Sequence, residues 1–525
     1  MAEQMTPKVL ITTSGLGSRL GEKTDYTNKC LIRVDSKPVI SHIIESYPDD
    51  CEFIITIGHY GNLVKDYILL VYPDKKVTFV EIDNFSDKGS SLGYSLLQAR
   101  VFLQCPFIFH ASDTILTENF YSVENNWIVT SAKKESSQYR TVRVQNSKVI
   151  SIEEKGSTDS DFVYTGVCGI KDYEDFWSCL KQAYDKNPND SSLSDCHALR
   201  MMIKNNALFE NLERKFFDTG NITELKRTRE HFQSSMTVLD KLKEDTFIVN
   251  GCVVKYFYDK DLVRDRVIRA KKLKKCVPKI IGVKDNFYAY EYVNGDLFSE
   301  SVDTKTFSDF LRWSKDNLWS PKDKDITLEC HDFYYAKTLK RIELFISEFG
   351  ESDLKINGLK CNKVHDLLES AKTVLISNHV CSPIHGDFIL DNVIKTDNDS
   401  FSLIDWRQNF GNNVYDYGDL YYDFAKLNHN LVFNHGIVDG RCYKVEVKKD
   451  EILVDIHRKN ILCECQKILF DFLRHGKYDL HKVKILTAIV WLNMSPLHEY
   501  PLNKFLFYFG KYSLQRALDD YEKNA

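Results

Sequence analysis

The sequence predicts two consecutive domains of different class: an α/β domain on a mainly parallel sheet, then an α+β domain. Three observations predict this. From Lys8 to His110, apolar strand-like runs alternate with helix-like runs, the pattern of β-α-β units. Further on, two apolar runs flank Asn250-Gly251, a strong hairpin signal, and a long helical stretch follows. At 525 residues the chain is also too long for one ordinary core. The predicted division is 1–232 and 233–525.

Taken in order, Lys8 to Thr13 reads as a buried first strand. Glu52 to Ile57, Val77 to Ile82 and Phe107 to His110 follow as strands. Pro38 to Tyr47, Asn62 to Leu70 and Ser91 to Leu103 read as the helices between them. Ligands of such a sheet sit beyond the carboxyl ends of its strands. Ser14 to Gly21 lies at one such end and carries Gly15 and Gly17; glycines there let backbone N–H groups approach phosphates. A dinucleotide fingerprint would need a third glycine where Leu20 stands, and a Walker A loop would need Gly-Lys-Ser/Thr, which is absent. Asp113 lies just beyond the end of the Phe107 strand. Tyr139 to Glu154 reads as a hairpin turning at Asn146-Ser147, and Ile222 to Phe232 as a closing helix.

The order Gly15-Leu16-Gly17-Ser18-Arg19-Leu20, Asn28-Lys29-Cys30-Leu31 and Lys37-Pro38-Val39-Ile40 resembles the sugar-nucleotide pyrophosphorylase and phosphocholine cytidylyltransferase family. The resemblance implies a Rossmann-like nucleotidyltransferase domain. Gly15, Gly17 and Ser18 would cradle a nucleoside triphosphate, Arg19 would clamp the leaving pyrophosphate, and Lys29 would bridge the phosphates of both substrates. Positive charge is needed there to offset the repulsion of two anions. Gly89, in Lys88 to Gly93, resembles the loop where the base is read. Asp113 and Asp218 would hold Mg2+, an ion that seeks oxygen ligands; Asp218 could equally cap the helix after it. Lys155 is either a contact to the acceptor's phosphate or a solvated strand-end charge. Gly166, in Tyr164 to Val167, resembles the acceptor-side strand. The sequence departs from the family pattern at Asn28, Ser36 and Gly156.

In the second domain, Thr237 to Leu242, Thr246 to Val249 and Cys252 to Tyr258 read as strands and Leu262 to Lys274 as a basic helix. Its Arg and Lys residues form a solvated face, with no interleaved aromatics to suggest nucleic acid. Pro278 to Ile281 and Phe287 to Tyr292 read as further strands, and Phe307 to Ser377 as mostly helical. Then come His385-Gly386-Asp387, Asn392, two strand-like runs around a Lys395 to Asp399 turn, and Ile404-Asp405-Trp406. Ile452 to Ala525 reads as helical. An Asp, an Asn five positions on with four residues between, and a second Asp after the next strand supply what phosphoryl transfer asks for: one group to accept a hydroxyl proton and two to hold metal.

His-Gly-Asp-x4-Asn with Ile-Asp-Trp resembles the choline kinase and aminoglycoside phosphotransferase superfamily, not a protein kinase with His-Arg-Asp and Asp-Phe-Gly. The resemblance implies a protein-kinase-like fold with an N-lobe over 233–296 and a C-lobe over 297–525. Asp387 would be the catalytic base, Asn392 and Asp405 the Mg2+ ligands, and His385 a supporting residue. Lys255 would contact the ATP phosphates, and Tyr290 to Gly295, with Glu291, would be the adenine hinge. Asp419 would brace the catalytic loop, cap the following helix, or both. Two departures stand out: only Gln233-Ser234-Ser235 occupies the place of a Gly-rich loop, and Asp265 stands where a helix Glu would pair with Lys255. Trp406, Trp491, Tyr421 and Tyr422 could cage a quaternary ammonium, or fill the core.

The expected chemistry is therefore ATP-dependent phosphorylation of a small alcohol, choline first, and coupling of the product to a nucleotide from a second NTP, CTP first. The product would be an activated precursor for surface polysaccharide or lipid. A sugar or polyol pair of activities uses the same motifs, and a degenerate nucleotide-sensing domain is the non-catalytic alternative. A net charge of −5 argues against a polyanion-binding surface, no run of 18 apolar residues suggests a membrane span, and Met1 to Thr6 lacks a signal pattern. The 14 cysteines have no zinc-ligand spacing and are expected as reduced thiols in a cytoplasmic protein. Small molecules are the expected partners, and the oligomeric state is left open.

Overall fold

The computed structural model describes residues 8–118, 122–132, 137–157, 160, 162–232, 241–412 and 414–524. Gln233-Ser234-Ser235, residues 237–240 of the strand expected from Thr237, and Met1 to Thr6 lie outside them. The described chain forms two compact units: 8–263 with 281–290, and 264–280 with 291–524.

The first unit is built on a nine-stranded sheet. Its order is Lys76–Glu81, Glu52–Ile57, Lys8–Thr12, Phe107–Ala111, Phe162–Ile170, Asn126–Ser131, Phe209–Glu213, Lys148–Ile152 and Thr141–Gln145. The first four strands are parallel, with Leu10 level with both Ile54 and Phe109. Beyond them the sheet is mixed: Phe162–Ile170 runs antiparallel to both its neighbours. The expectation of a mainly parallel sheet therefore holds for one half only. The other half contains a true hairpin, which returns antiparallel without a crossover helix. That hairpin turns at Asn146 (φ 50°) and Ser147 (φ 59°), the left-handed pair a two-residue turn requires.

Alternation along each strand feeds two cores. Val9, Ile11, Phe53, Ile55 and Ile108 pack on one face with Ile40, Ile43 and Val64 from the helices Val39–Glu45 and Gly61–Val71. Leu10, Ile54, Phe107 and Phe109 pack on the other with Leu96 from Leu92–Ala99 and with Phe176 and Leu199.

The strands Glu244–Val249, Cys252–Phe257 and Phe287–Glu291 belong almost wholly to this first unit, not to the second domain as predicted. The reason is apolar burial. Phe247, Val254, Tyr256 and Phe287 join the first of the two cores, with Phe247 and Phe287 against the Tyr67 ring. Polar ties add specificity: Arg33 Nε donates to Asp245 at 2.8 Å, and Ile248 N to Ser36 O at 2.6 Å. The predicted Asn250-Gly251 turn is present, with φ of 51° and 70°.

The second unit is mainly helical, with three small sheets. Gly295–Leu297, Val393–Thr396 and Phe401–Leu403 form one of them. Leu480–Met494 is buried nearly all round and packs against Leu420–Val432 and Leu502–Asn524. The tail is not helical throughout: Glu451–Ile456 is a strand paired with Tyr443–Val447, and the helices begin at Asn460. Ile452 and Val454 are buried on one side of that strand while Leu453 is half-buried and Asp455 exposed on the other. Among the described residues no helix is long and apolar enough to cross a membrane. All 14 cysteines are free thiols.

Candidate active sites

In the first unit the short strands Thr114–Leu116 and Phe216–Asp218 pair antiparallel, with Asp218 opposite Thr114. This register brings Asp113 and Asp218, 105 positions apart in sequence, to one point. Thr219 fastens the approach by donating its backbone N–H to Asp113 O at 2.9 Å. The meeting point is Gly220. A methyl group on its Cα would lie 3.0 Å from Asp218 Oδ1 and 3.1 Å from both Asp113 Oδ2 and Arg19 Nη2. Lys29 Nζ donates to Asp113 Oδ2 at 3.1 Å, and Arg19 Nη2 stands 3.9 Å from the same oxygen. Burial pushes the Asp113 carboxyl up, but Lys29 and Arg19 outweigh it and hold the group below the usual range. Tyr139 donates its hydroxyl to Asp218 Oδ2 at 2.7 Å.

The loop residues are held for this purpose. Gly17 is left-handed at φ 72°, and a Cβ there would press on Thr24 and Lys29 at 3.0 and 3.1 Å. Ser18 and Arg19 open a short 3-10 turn directly after it. Gly15 has open space around its Cα. Asn28, one of the departures from the family pattern, does a positional job. Its Nδ2 donates to Thr13 O at 2.8 Å and His59 O at 2.6 Å, and its Oδ1 accepts from Cys30 N at 3.0 Å. Lys29 is thus hung from the end of the first strand. The exposed Lys155 lies in the field of Arg19, Asp113 and Asp218; burial, Arg19 and Arg140 lower its pKa while the two carboxylates oppose them. Gly166 sits at a bulge with φ 88°, close enough that a Cβ would be 2.9 Å from Ala111. Gly89 (φ 90°) packs instead toward Pro188 O, at 3.3 Å from a built Cβ.

Two carboxylates suit Mg2+, which takes one or two from protein and completes its shell with phosphate oxygens and water. Among the described residues no group of three or more His, Cys, Asp and Glu could hold a metal by itself.

In the second unit, Asn392 N–H2 donates to Asp387 Oδ2 at 3.1 Å and to Asp387 O at 2.9 Å, which closes the turn between them. Ile404 N donates to Asn392 O at 2.9 Å, so the hairpin sets Asp405 beside Asn392. Asp405 is left-handed at φ 55°, a conformation a non-glycine residue adopts at a cost. His385 is fully buried and donates Nε2–H to Ile404 O at 2.9 Å; burial lowers its pKa to about 4, so the ring is neutral. Gly386 is left-handed at φ 83°, and a Cβ there would meet Arg407 Cβ at 2.7 Å. Burial alone would raise the Asp387 pKa, but Lys426, 2.8 Å away, pulls it well below the carboxylate range, with His385 and Arg407 assisting.

Two residues here escaped sequence reasoning. Asp423 accepts the backbone N–H of His385 at 2.9 Å and of Gly386 at 2.8 Å, and the Trp319 indole N–H at 3.1 Å. It therefore braces the loop, the role expected of Asp419. Asp419 instead caps Leu420–Val432 and accepts from Val380 N, Tyr334 Oη and the buried Lys482, the last at 3.1 Å. Lys426 is the second. Both lie on the helix after Asp405, and an Asp between Leu420 and Phe424 on an apolar face was the available signal.

The aromatic cage is a further correction. Trp406 is fully buried and donates to Arg266 O at 2.8 Å. Tyr421 is buried, its hydroxyl accepts from Asp479 N at 2.9 Å, and Lys482 already lies 4.8 Å over its ring. Trp491 is buried, packing on Phe509. These rings are core because each has an internal partner for its polar edge or its face. Lys255, in the first unit, donates to Thr246 Oγ1 at 3.0 Å, and Glu291, in the second, stands 3.6 Å from Lys279. The chain passes between the units at three points, after Val263, after Ile280 and after Tyr290.

No protein-family model matches the chain. It is 22% identical over 257 residues to the bifunctional protein GlmU of Methanococcus maripaludis, covering 47% of this chain and 59% of that protein. It is 24% identical over 211 residues to the GlmU of Methanococcus vannielii, covering 38% and 48%. A 62-residue stretch is 36% identical to glucose-1-phosphate cytidylyltransferase of Salmonella typhimurium, 11% of this chain and 24% of that one. The chain spans about half the length of the first two relatives. Among solved structures, UDP-glucose pyrophosphorylase complexed with UDP-glucose matches at 18% identity and a TM-score of 0.38, covering 43% of this chain and 98% of its own. CTP:phosphocholine cytidylyltransferase from Streptococcus pneumoniae matches at 20% and 0.38, covering 44% and 100%. The N-terminal part, to which these similarities are confined, is an α/β domain on a mixed sheet.

Proposed function

We propose that the chain carries out two successive transfers. In the C-terminal half, a small alcohol attacks the γ-phosphorus of ATP. Its proton passes to Asp387, the bond between the γ-phosphorus and the bridging oxygen breaks, and ADP leaves. In the N-terminal half, a phosphate oxygen of the phosphorylated alcohol attacks the α-phosphorus of a second NTP. The α–β bridge then breaks and pyrophosphate leaves, with no protein nucleophile needed. The observation that carries the reading is the convergence of Asp113, Asp218, Arg19 and Lys29 around Gly220. Two acids and two bases at one point can bind metal and polyphosphate together. Mg2+ held by Asp113 and Asp218, and by Asn392 and Asp405, would neutralise phosphate charge. Asp423 and Asn392 hold Asp387 in place, and Lys426 keeps it ionised.

The NTP reading is supported by similarity in sequence to a glucose-1-phosphate cytidylyltransferase. The choline reading rests on the pairing of the two resembled families; the aromatic cage that would have held its ammonium has Trp406, Trp491 and Tyr421 in the core, so a sugar or polyol acceptor is favoured in its place. The product would be an activated precursor for polysaccharide or lipid synthesis.

The test is mass spectrometry of products formed from ATP, CTP or mixed NTPs, Mg2+ and a panel of alcohols that includes choline. Asp387→Asn should abolish phosphorylation yet leave nucleotidyl transfer from ready-made phosphorylated substrate. Lys29→Ala should do the reverse. Loss of both activities from either single change would refute two independent sites.

A further inference from the structure

A cavity of about 260 Å³, room for a small molecule but not for a nucleotide, is lined by Lys426, the ion-pair partner of Asp387. Three helices and one loop make its walls. Lys337 and Arg341 come from Lys337–Phe349, four residues apart and so on one face. Tyr422 and Lys426 share a face of Leu420–Val432 in the same way. Ile489 and Asn493 do so on Leu480–Met494. Arg407 enters from the segment after Asp405. The helix leading into Lys337 is wound as a π-turn over His331–Ala336, a form frequent at functional sites, and Phe333 from it forms part of the cavity wall.

The charge of this cavity is one-sided. Lys337, Arg341, Arg407 and Lys426 line it, and only Lys426 has a carboxylate, Asp387, among the described residues. Arg407 donates Nε–H to Asn409 O at 3.1 Å, and both Lys337 and Arg407 lie over the Phe333 ring, at 4.6 and 4.8 Å. Neither contact cancels charge. Burial lowers the Lys337 pKa to about 7, with Arg407, Arg341 and Lys426 adding to it. A free acceptor is also present. Asn493 Nδ2 donates to Thr338 Oγ1 at 2.6 Å and to Ile489 O at 2.9 Å, which fixes the amide, while its buried Oδ1 has no partner.

We infer that this cavity is the acceptor site of the phosphotransferase and that its substrate is a small hydroxylated anion, an alcohol carrying a carboxylate or a phosphate. The inference rests on the phosphotransferase reading for Asp387 as base. The acid group would sit against Lys337, Arg341 and Arg407, and a hydroxyl would donate to Asn493 Oδ1. The reacting hydroxyl would face Asp387, which Lys426 ties to the cavity rim. A quaternary ammonium would meet Arg341, Arg407 and a partly protonated Lys337, with Asp387 as the nearby carboxylate, which weighs against choline by charge as well as by the missing cage.

The experiment uses the full chain and matched probes of three to six carbons: polyols, the corresponding sugar acids, and the polyol phosphates, with choline and ethanolamine alongside. Calorimetric titration reads binding, and ADP formation from ATP reads turnover. Acids or phosphates should bind at least tenfold more tightly than the polyols, and Arg341→Gln should weaken them about tenfold while leaving polyol binding unchanged. The better of the two acid series identifies which group the cations hold. Equal binding of acids and polyols, preference for choline, or acid binding indifferent to Arg341→Gln would overturn the inference. Tight acid binding with no ADP formed would sustain the anion site and refute the phosphotransferase reading instead.

Discussion

Lys337 offers the sharpest quantitative check on the crowded cations. Burial, aided by Arg407, Arg341 and Lys426, takes its pKa from 10.5 to about 7. The unfolded chain then binds more protons than the folded one between these two values, so stability rises with pH across that window. The penalty is full below about pH 7, fades as pH rises, and vanishes above about 10.5. Its ceiling is the 3.5-unit difference at 1.36 kcal/mol per unit, about 5 kcal/mol near pH 6 and about 2 kcal/mol at pH 9. Lys337→Met keeps most of the side-chain volume and removes the charge. Urea denaturation, followed by fluorescence of Trp319, Trp406 and Trp491, should find the variant more stable by a few kcal/mol at pH 6, with the gap narrowing by about half or more at pH 9. A saturating anionic ligand should cancel the difference, because it supplies the missing counter-charge. Parallel stability-versus-pH curves for the two proteins would refute the reasoning: the lysine would then be hydrated and the cavity not electrostatically crowded.

Other expectations concern positioning. Gly220→Ala places a methyl about 3 Å from Asp113, Asp218 and Arg19. Nucleotidyl transfer should drop at least tenfold, while the melting temperature moves little, since Gly220 is not left-handed; an unaffected rate would mean the substrates meet elsewhere. Asp423→Asn puts an amide N–H2 against the His385 and Gly386 donors; phosphorylation kcat should fall about a hundredfold, as for a misplaced catalytic group, with nucleotidyl transfer as the internal control. Lys482→Met leaves Asp419 buried and unpaired and should cost about 3–5 kcal/mol by denaturation, part of it recovered when Asp419→Asn is added.

The candidate acids were legible because they sit near strand ends with fixed spacing. Asp113 follows its strand directly, and Asp387, Asn392 and Asp405 bracket one hairpin. What was not legible depends on pairing between distant segments. Nothing local says that Asp423 reaches back 37 positions to Gly386, or that Lys426 neutralises Asp387. The aromatic residues misled for a related reason: an indole looks the same in sequence whether it lines a pocket or donates to Arg266 O. The Glu451–Ile456 strand had its signal in its partner, since Tyr443–Val447 alternates apolar and charged residues, while its own Ile452-Leu453-Val454 run reads equally as helix or strand. The domain boundary failed at 232 because the strands after it are apolar on the faces they would show to either neighbour, and only the core they join tells which one receives them.

That shared core bears on how such a chain can change over generations. A gene cut after Phe232 would strip Phe247, Val254, Tyr256 and Phe287 from the fragment that keeps Tyr67, and would leave the other fragment with an uncovered greasy sheet. Each large apolar side chain so exposed forfeits about 1.5–3 kcal/mol, enough that a few would exhaust the margin of an ordinary domain. A division at 232 therefore parts these strands from the core they complete, and that position is not a seam at which the chain can be divided.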